Sequence, residues 1–167
     1  MTKRIIEKEL LLTYIDYISQ AQPSLGNLPI CPYTKKFADK IEYHFSDDLE
    51  KALDYQYDFY PHDIMIVLLV NSDINKYSVE VLQNLIEENA LKFAKKDLWI
   101  AYDHPDQINV IGDVRTSNKH FAMILVQPLT ELVRLSHSLH KTPYYDSWTK
   151  EYYEEIVAER KKLLERK

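Results

Sequence analysis

Apolar residues recur at helical spacing over residues 4–20, where Leu11, Ile15 and Ile18 share one face with Tyr14 beside them. Pro23, Gly26 and Pro29 then break the pattern, so Leu28-Pro-Ile-Cys-Pro-Tyr reads as a proline-bracketed turn. Residues 40–45 alternate, with Ile41, Tyr43 and Phe45 on one side, and predict a half-buried strand. Ser46-Asp-Asp offers an N-cap with acidic residues in the first turn, and a helix with Leu49, Ala52 and Leu53 follows until Pro61. Residues 63–70 contain a continuous apolar run, the signature of a strand covered on both faces. A third helix is expected over about 76–95 and a third strand over 98–102; residues 108–114 form a fourth strand or a loop. Phe121–Val126 is apolar and stops at Gln127-Pro128, where the proline suits the first turn of a fourth helix. A last helix over about 146–166 carries Trp148, Tyr152, Ile156 and Leu163 on one side and ends in a charged, solvated tail from Glu159.

Strands alternating with helices predict an α/β fold: one layered domain over residues 1–167, a small sheet of three to four strands joined by right-handed crossovers, and a helical C-terminus. The chain of 167 residues needs no disulfide or metal to fold. Cys31 is the single cysteine, which suits a reducing compartment, and the cytoplasm is the expected location. Charges interrupt the first residues where an export signal would be apolar, and no run is long enough to span a bilayer, so no membrane partner is expected. The net charge of -5 argues against nucleic acid, whose phosphates are bound by Lys and Arg.

Glycine changes the picture most. Only 2 are present, Gly26 and Gly112, which removes the dinucleotide fingerprint and the Walker phosphate loop. The 13 tyrosines suit pocket walls and interfaces, since each combines apolar area with a polar tip.

Several polar constellations are candidates for chemistry. Cys31-Pro32-Tyr33 sits in a turn beside Lys35 and Lys36, which favour a thiolate able to act as nucleophile or iron ligand; the competing reading is a small buried apolar residue. His104 lies between Asp103 and Asp106 at the carboxyl end of a strand, where ligands gather in open α/β sheets, and could serve as base or metal ligand. Arg115-Thr-Ser-Asn-Lys-His120 offers a guanidinium, the Ser117 hydroxyl and an imidazole to a carboxylate or a haem propionate. His137 and His140 share a helix side, without the further ligands that a zinc site needs.

The order of these motifs, from the Cys-Pro-aromatic turn through Val81-Leu-Gln-Asn-Leu and an Arg-x-Ser to Gln127-Pro128, resembles the bacterial YqcI/YcgG-like family and its short relatives over roughly residues 28–133. The resemblance implies a haem-dependent oxygenase, an iron oxidoreductase acting on a small amino- or guanidino-containing substrate. It carries over Cys31, Pro32, Gln83, Arg115, Ser117, Gln127 and Pro128. In that reading His104 or His120 ligates the iron and Arg115 holds a propionate or substrate carboxylate. This chain departs from the pattern at Tyr33, where the family has Phe, and lacks a histidine just before the Arg-x-Ser. Two other readings come from the residues: a cofactor-free enzyme pairing Cys31 as nucleophile with His104 as base, and a binding module whose Trp148–Ile156 helix is a contact surface or homodimer seam.

Overall fold

The computed structural model describes residues 2–167 and is an α/β structure. Helix α1 (Lys3–Ile18) is followed by a two-residue ribbon, β1 (Ala21–Gln22) with β2 (Leu28–Pro29), and by the short helix α2 (Pro32–Lys36). Next come β3 (Ile41–Phe45), α3 (Leu49–Phe59), β4 (Ile66–Asn71), α4 (Val79–Ala94) and β5 (Leu98–Asp103). Asp48 caps α3 by accepting from the Lys51 N–H, and Ser78 caps α4 through Val81 N–H. Residues 108–114 supply a small hairpin, β6 (Val110–Ile111) with β7 (Val114–Arg115), rather than a strand of the main sheet. The chain closes with β8 (Ala122–Pro128), α5 (Leu129–Leu139), α6 (Lys150–Tyr153), a π-helical turn over Glu154–Ala158, and α7 (Glu159–Arg166).

The main sheet has the order β3-β4-β8-β5. Only β3 and β4 pair in parallel; β8 runs antiparallel to both β4 and β5. The apolar run before Gln127-Pro128 is therefore a central strand, and the sheet is mixed. Pro128 ends that strand and caps α5, which begins at Leu129.

Alternation along the strands assigns two faces. Ile66, Leu68, Val70, Trp99 and Met123 pack with Leu11 of α1 and with α5 residues on the first face. Val67, Leu69, Ile100, Ile124 and Val126 pack with Leu49 and Leu53 of α3 and with Leu82 and Phe93 of α4 on the second. Both faces are covered, which is why β4 and β8 read as unbroken apolar runs. The predicted contact face of the C-terminal helix also turns inward: Trp148, Tyr152 and Ile156 pack against the first-face core of their own sheet.

Gly26 has a φ of +64°, and a Cβ there would lie 3.0 Å from Pro143 Cβ. The turn after β1 thus abuts the segment that delivers Tyr144, whose hydroxyl donates to the Ile30 carbonyl. That contact ties the C-terminal segment to the Cys31 turn.

Candidate functional site

A cavity of 190 Å³ lies on the first face of the sheet, beneath the C-terminal helix. Its floor is built by alternation: Trp99, Ala101 and Asp103 of β5 and Leu125 and Gln127 of β8 point to the same side. Tyr14 of α1 and the Cys31 turn close one flank, and Tyr144, Trp148 and Tyr152 close the other. The position thus differs from the expected one, which was the carboxyl edge of the strands.

The C-terminal helix contributes Tyr152, Ile156 and Arg160, each four residues apart. Four residues overshoot an α-helical turn by about 40°, so such a series drifts off one face. The π-helical turn over Glu154–Ala158 is wider and reduces that drift, which keeps all three on the cavity.

Arg160 is 8 % exposed and stacks over Trp99, its guanidinium carbon 4.1 Å from the ring centre. Its Nε has no hydrogen-bond partner, and none of the ion pairs among the described residues includes it. Taking a charge out of water without a partner costs several kcal/mol. Two further buried donors at the cavity, Tyr33 Oη and Trp148 Nε1, also lack partners. Ser136 donates to the Leu132 carbonyl at 2.9 Å, and its oxygen is the nearest acceptor to Tyr33 Oη, short of a well-formed hydrogen bond. Burial pushes the Tyr33 hydroxyl up to about 12, so it stays a donor at neutral pH. Three orphaned donors around one aromatic-walled space form a receptor for an acceptor group.

Asp103 lies on the same floor. Its Oδ2 accepts from the Asn118 N–H and Asn118 Nδ2, both at 2.8 Å, and from Tyr14 Oη at 3.3 Å. Burial nevertheless raises its carboxyl above the usual range. Tyr14 divides its hydroxyl between Asp103 and the Thr116 carbonyl at 2.8 Å, and burial raises it well above the ordinary phenol.

The residues singled out in the sequence fall in different places. Cys31 lines the cavity as the residue before α2; its N–H donates to the Ile18 carbonyl at 3.0 Å and its carbonyl accepts from Thr34 Oγ1 at 2.8 Å. Burial raises its thiol, against the thiolate expected from Lys35 and Lys36. His104 is fully buried and away from the cavity lining. Its Nδ1 accepts from the Asp106 N–H at 3.0 Å and its Nε2 donates to the Ile74 carbonyl at 3.1 Å, which fixes the tautomer and leaves no ring nitrogen for a metal. Alternation from Asp103 sends His104 toward the second face, against the loop before α4, so the sheet separates it from Cys31 and the nucleophile–base pair does not form.

Arg115 acts as a loop clamp, donating to the Ser117, Pro105 and Asn118 carbonyls at 3.2, 3.1 and 3.3 Å. Ser117 is buried and accepts from the Asn109 N–H. His120 is exposed, with its ring edge-on to Phe121. Gln83 is exposed on α4 and donates to Glu87, whereas Gln127 is buried and lines the cavity. His140 bridges the Ser136 carbonyl and the Tyr153 hydroxyl, and His137 is exposed.

These placements do not fit a haem held by His104 or His120, because neither ring reaches the cavity and the His104 nitrogens are taken. The space is also below the roughly 300 Å³ at which drug-sized ligand pockets begin, and a porphyrin is no smaller than such ligands. Among the described residues no group of three or more His, Cys, Asp or Glu could hold a metal ion.

Arg160, Asp103, Tyr14 and Trp99 were not candidates from sequence. Arg160 lies in a run of charges that reads as solvated; the available signal was its spacing of four from Ile156, on the apolar stripe. No helix among the described residues is long and apolar enough to cross a membrane. Comparison of the chain with protein-family models, with curated proteins and with solved structures finds no match.

Proposed function

We propose that the chain binds a small organic carboxylate in the cavity beneath its C-terminal helix, with Arg160 as the anion anchor. The observation that carries this reading is a buried guanidinium without a counter-charge, beside two orphaned donors, Tyr33 Oη and Trp148 Nε1. A carboxylate accepts from Arg in bidentate geometry and keeps further lone pairs for neighbouring donors. The aromatic walls suit a flat apolar body. An apolar cavity of about 150 Å³ holds one benzene, so 190 Å³ suits a single ring or a body of that size.

The oxygenase activity implied by the resemblance rests on the sequence motifs, and the donors of the cavity do not favour it. A Cys31 nucleophile would need another base than His104. The binding reading therefore stands ahead of both, whether the bound molecule is a substrate or a signal.

Thermal unfolding of the purified chain with benzoate, cyclohexanecarboxylate, benzyl alcohol and inorganic phosphate tests it. Both carboxylates should raise the midpoint, by several degrees near 100 times Kd, where ligand binding adds about 2.7 kcal/mol. The neutral alcohol and phosphate should not. Equal shifts by the alcohol and benzoate, or no shift by either carboxylate, would contradict the assignment.

A further inference from the structure

Resting on the carboxylate reading above, we infer that the ligand carries a hydrogen-bond donor at the end opposite its carboxylate, and that Asp103 receives it. The cavity has two poles of opposite charge. Arg160 marks the first by stacking on Trp99. Asp103 is four residues further along the same strand and on the same face, a separation of roughly 13 Å at about 3.3 Å per residue. The C-terminal helix gives a consistent span. Tyr152, whose hydroxyl senses the Asp103 charge, precedes Arg160 by eight residues, roughly 12 Å at about 1.5 Å per residue of helix. The first half of the C-terminal helix thus spans a length that matches the two poles of β5.

Each pole is incomplete. Arg160 lacks an anion. The Oδ2 of Asp103 is filled by Tyr14 and Asn118 and the carboxylate also takes the adjacent His104 backbone N–H, but no cation pairs with the group among the described residues. The two buried charges are too far apart to satisfy each other, and the space between them has aromatic walls. A ligand with a carboxylate at one end, a ring-sized apolar body and a hydroxyl or ammonium at the other completes both poles. Desolvation of Asp103 makes that second contact selective, because a ligand ending in a methyl group would cover the carboxylate without supplying a donor. The binding of such a ligand makes and breaks no covalent bond.

Titration calorimetry on the full chain tests the inference with benzoate, para-methylbenzoate, para-hydroxybenzoate and para-(aminomethyl)benzoate. In the wild type the hydroxyl or the aminomethyl compound should bind about tenfold or more tighter than the methyl compound, as a hydrogen bond to a charged acceptor requires. A gain confined to the aminomethyl compound identifies the natural donor as a cation, and a gain confined to the hydroxyl compound identifies it as neutral; both support the inference. Asp103→Asn keeps an acceptor but no charge, and the gain should shrink several-fold. If Asp103→Asn does not fold, the wild-type series decides alone. Binding of benzoate with no gain from either donor, or a full gain retained in folded Asp103→Asn, overturns the second pole and leaves the carboxylate anchor standing. Failure of all four compounds to bind overturns the anchor itself.

Discussion

The guanidinium of Arg160 sits 4.1 Å from the centre of the Trp99 ring, buried and without a carboxylate partner among the described residues. Stacking on an indole contributes about 0.5–2 kcal/mol, which does not offset the several kcal/mol that an unpaired buried charge costs. A protein that keeps such a residue gives up stability for a polar surface inside a pocket.

Replacing this residue should therefore separate binding from folding. Arg160→Met retains length and apolar contact with Trp99 while removing the charge. Urea unfolding should find its stability within about 1 kcal/mol of the wild type or higher, because relief of desolvation offsets the lost stacking. A loss of about 3 kcal/mol or more would mean that Arg160 has a partner in the folded protein and is structural.

Asp103 sets a pH dependence of opposite sign to that of an ion-paired carboxylate. Burial raises its folded-state value. The native protein then holds a proton that the unfolded chain, titrating near 3.9, has already released. Its contribution to stability is fully present below the unfolded value and is lost as pH rises from about 4 through the raised folded value. Chemical denaturation of wild type and Asp103→Asn across that range should show the variant gaining relative to the wild type with rising pH. A wild type that gains on the variant over the same interval would contradict the burial argument.

The Cys31 thiol should be slow toward alkylating reagents. Burial raises it, and its Thr34 and Tyr33 backbone neighbours only partly oppose that shift. Iodoacetamide should label the native chain at neutral pH far more slowly than the unfolded chain, and a saturating carboxylate should slow it further. Labelling at the rate of a free cysteine would restore the nucleophile reading.

Gly26 couples the first turn to the wall of the cavity. Its φ of +64° and the 3.0 Å approach of an added Cβ to Pro143 both oppose a side chain. Gly26→Ala should cost about 1–2 kcal/mol in chemical denaturation, more than the conformational term alone. An unchanged midpoint would mean that this turn does not brace the Tyr144 segment.

Much of the layer pattern was legible because each main-sheet helix and strand carries one dominant periodicity. The strand β3, the cap within Ser46-Asp-Asp and the buried run of β4 follow from their residues, whereas the cap at Ser78 came only with the structure. The strand β8 was not assigned from sequence, since an apolar run ahead of Gln-Pro carries no mark of antiparallel pairing, which is set by partners far along the chain. The site was harder. His104 between two aspartates resembles catalytic machinery, yet both nitrogens hold local backbone. Arg160 resembles a solvated charge, yet a π-helical turn carries it inward. Pattern reports which residues can be buried; it does not report which charges lose their partners when they are.

A fluorescence titration tests the role of Arg160 most directly. The chain has 2 tryptophans, Trp99 and Trp148, and both line the cavity. Benzoate should change their emission saturably in the wild type, and Arg160→Met should lose that response while remaining folded. An equal response in both proteins, or none in the wild type, would contradict the assignment of Arg160 as an anion anchor.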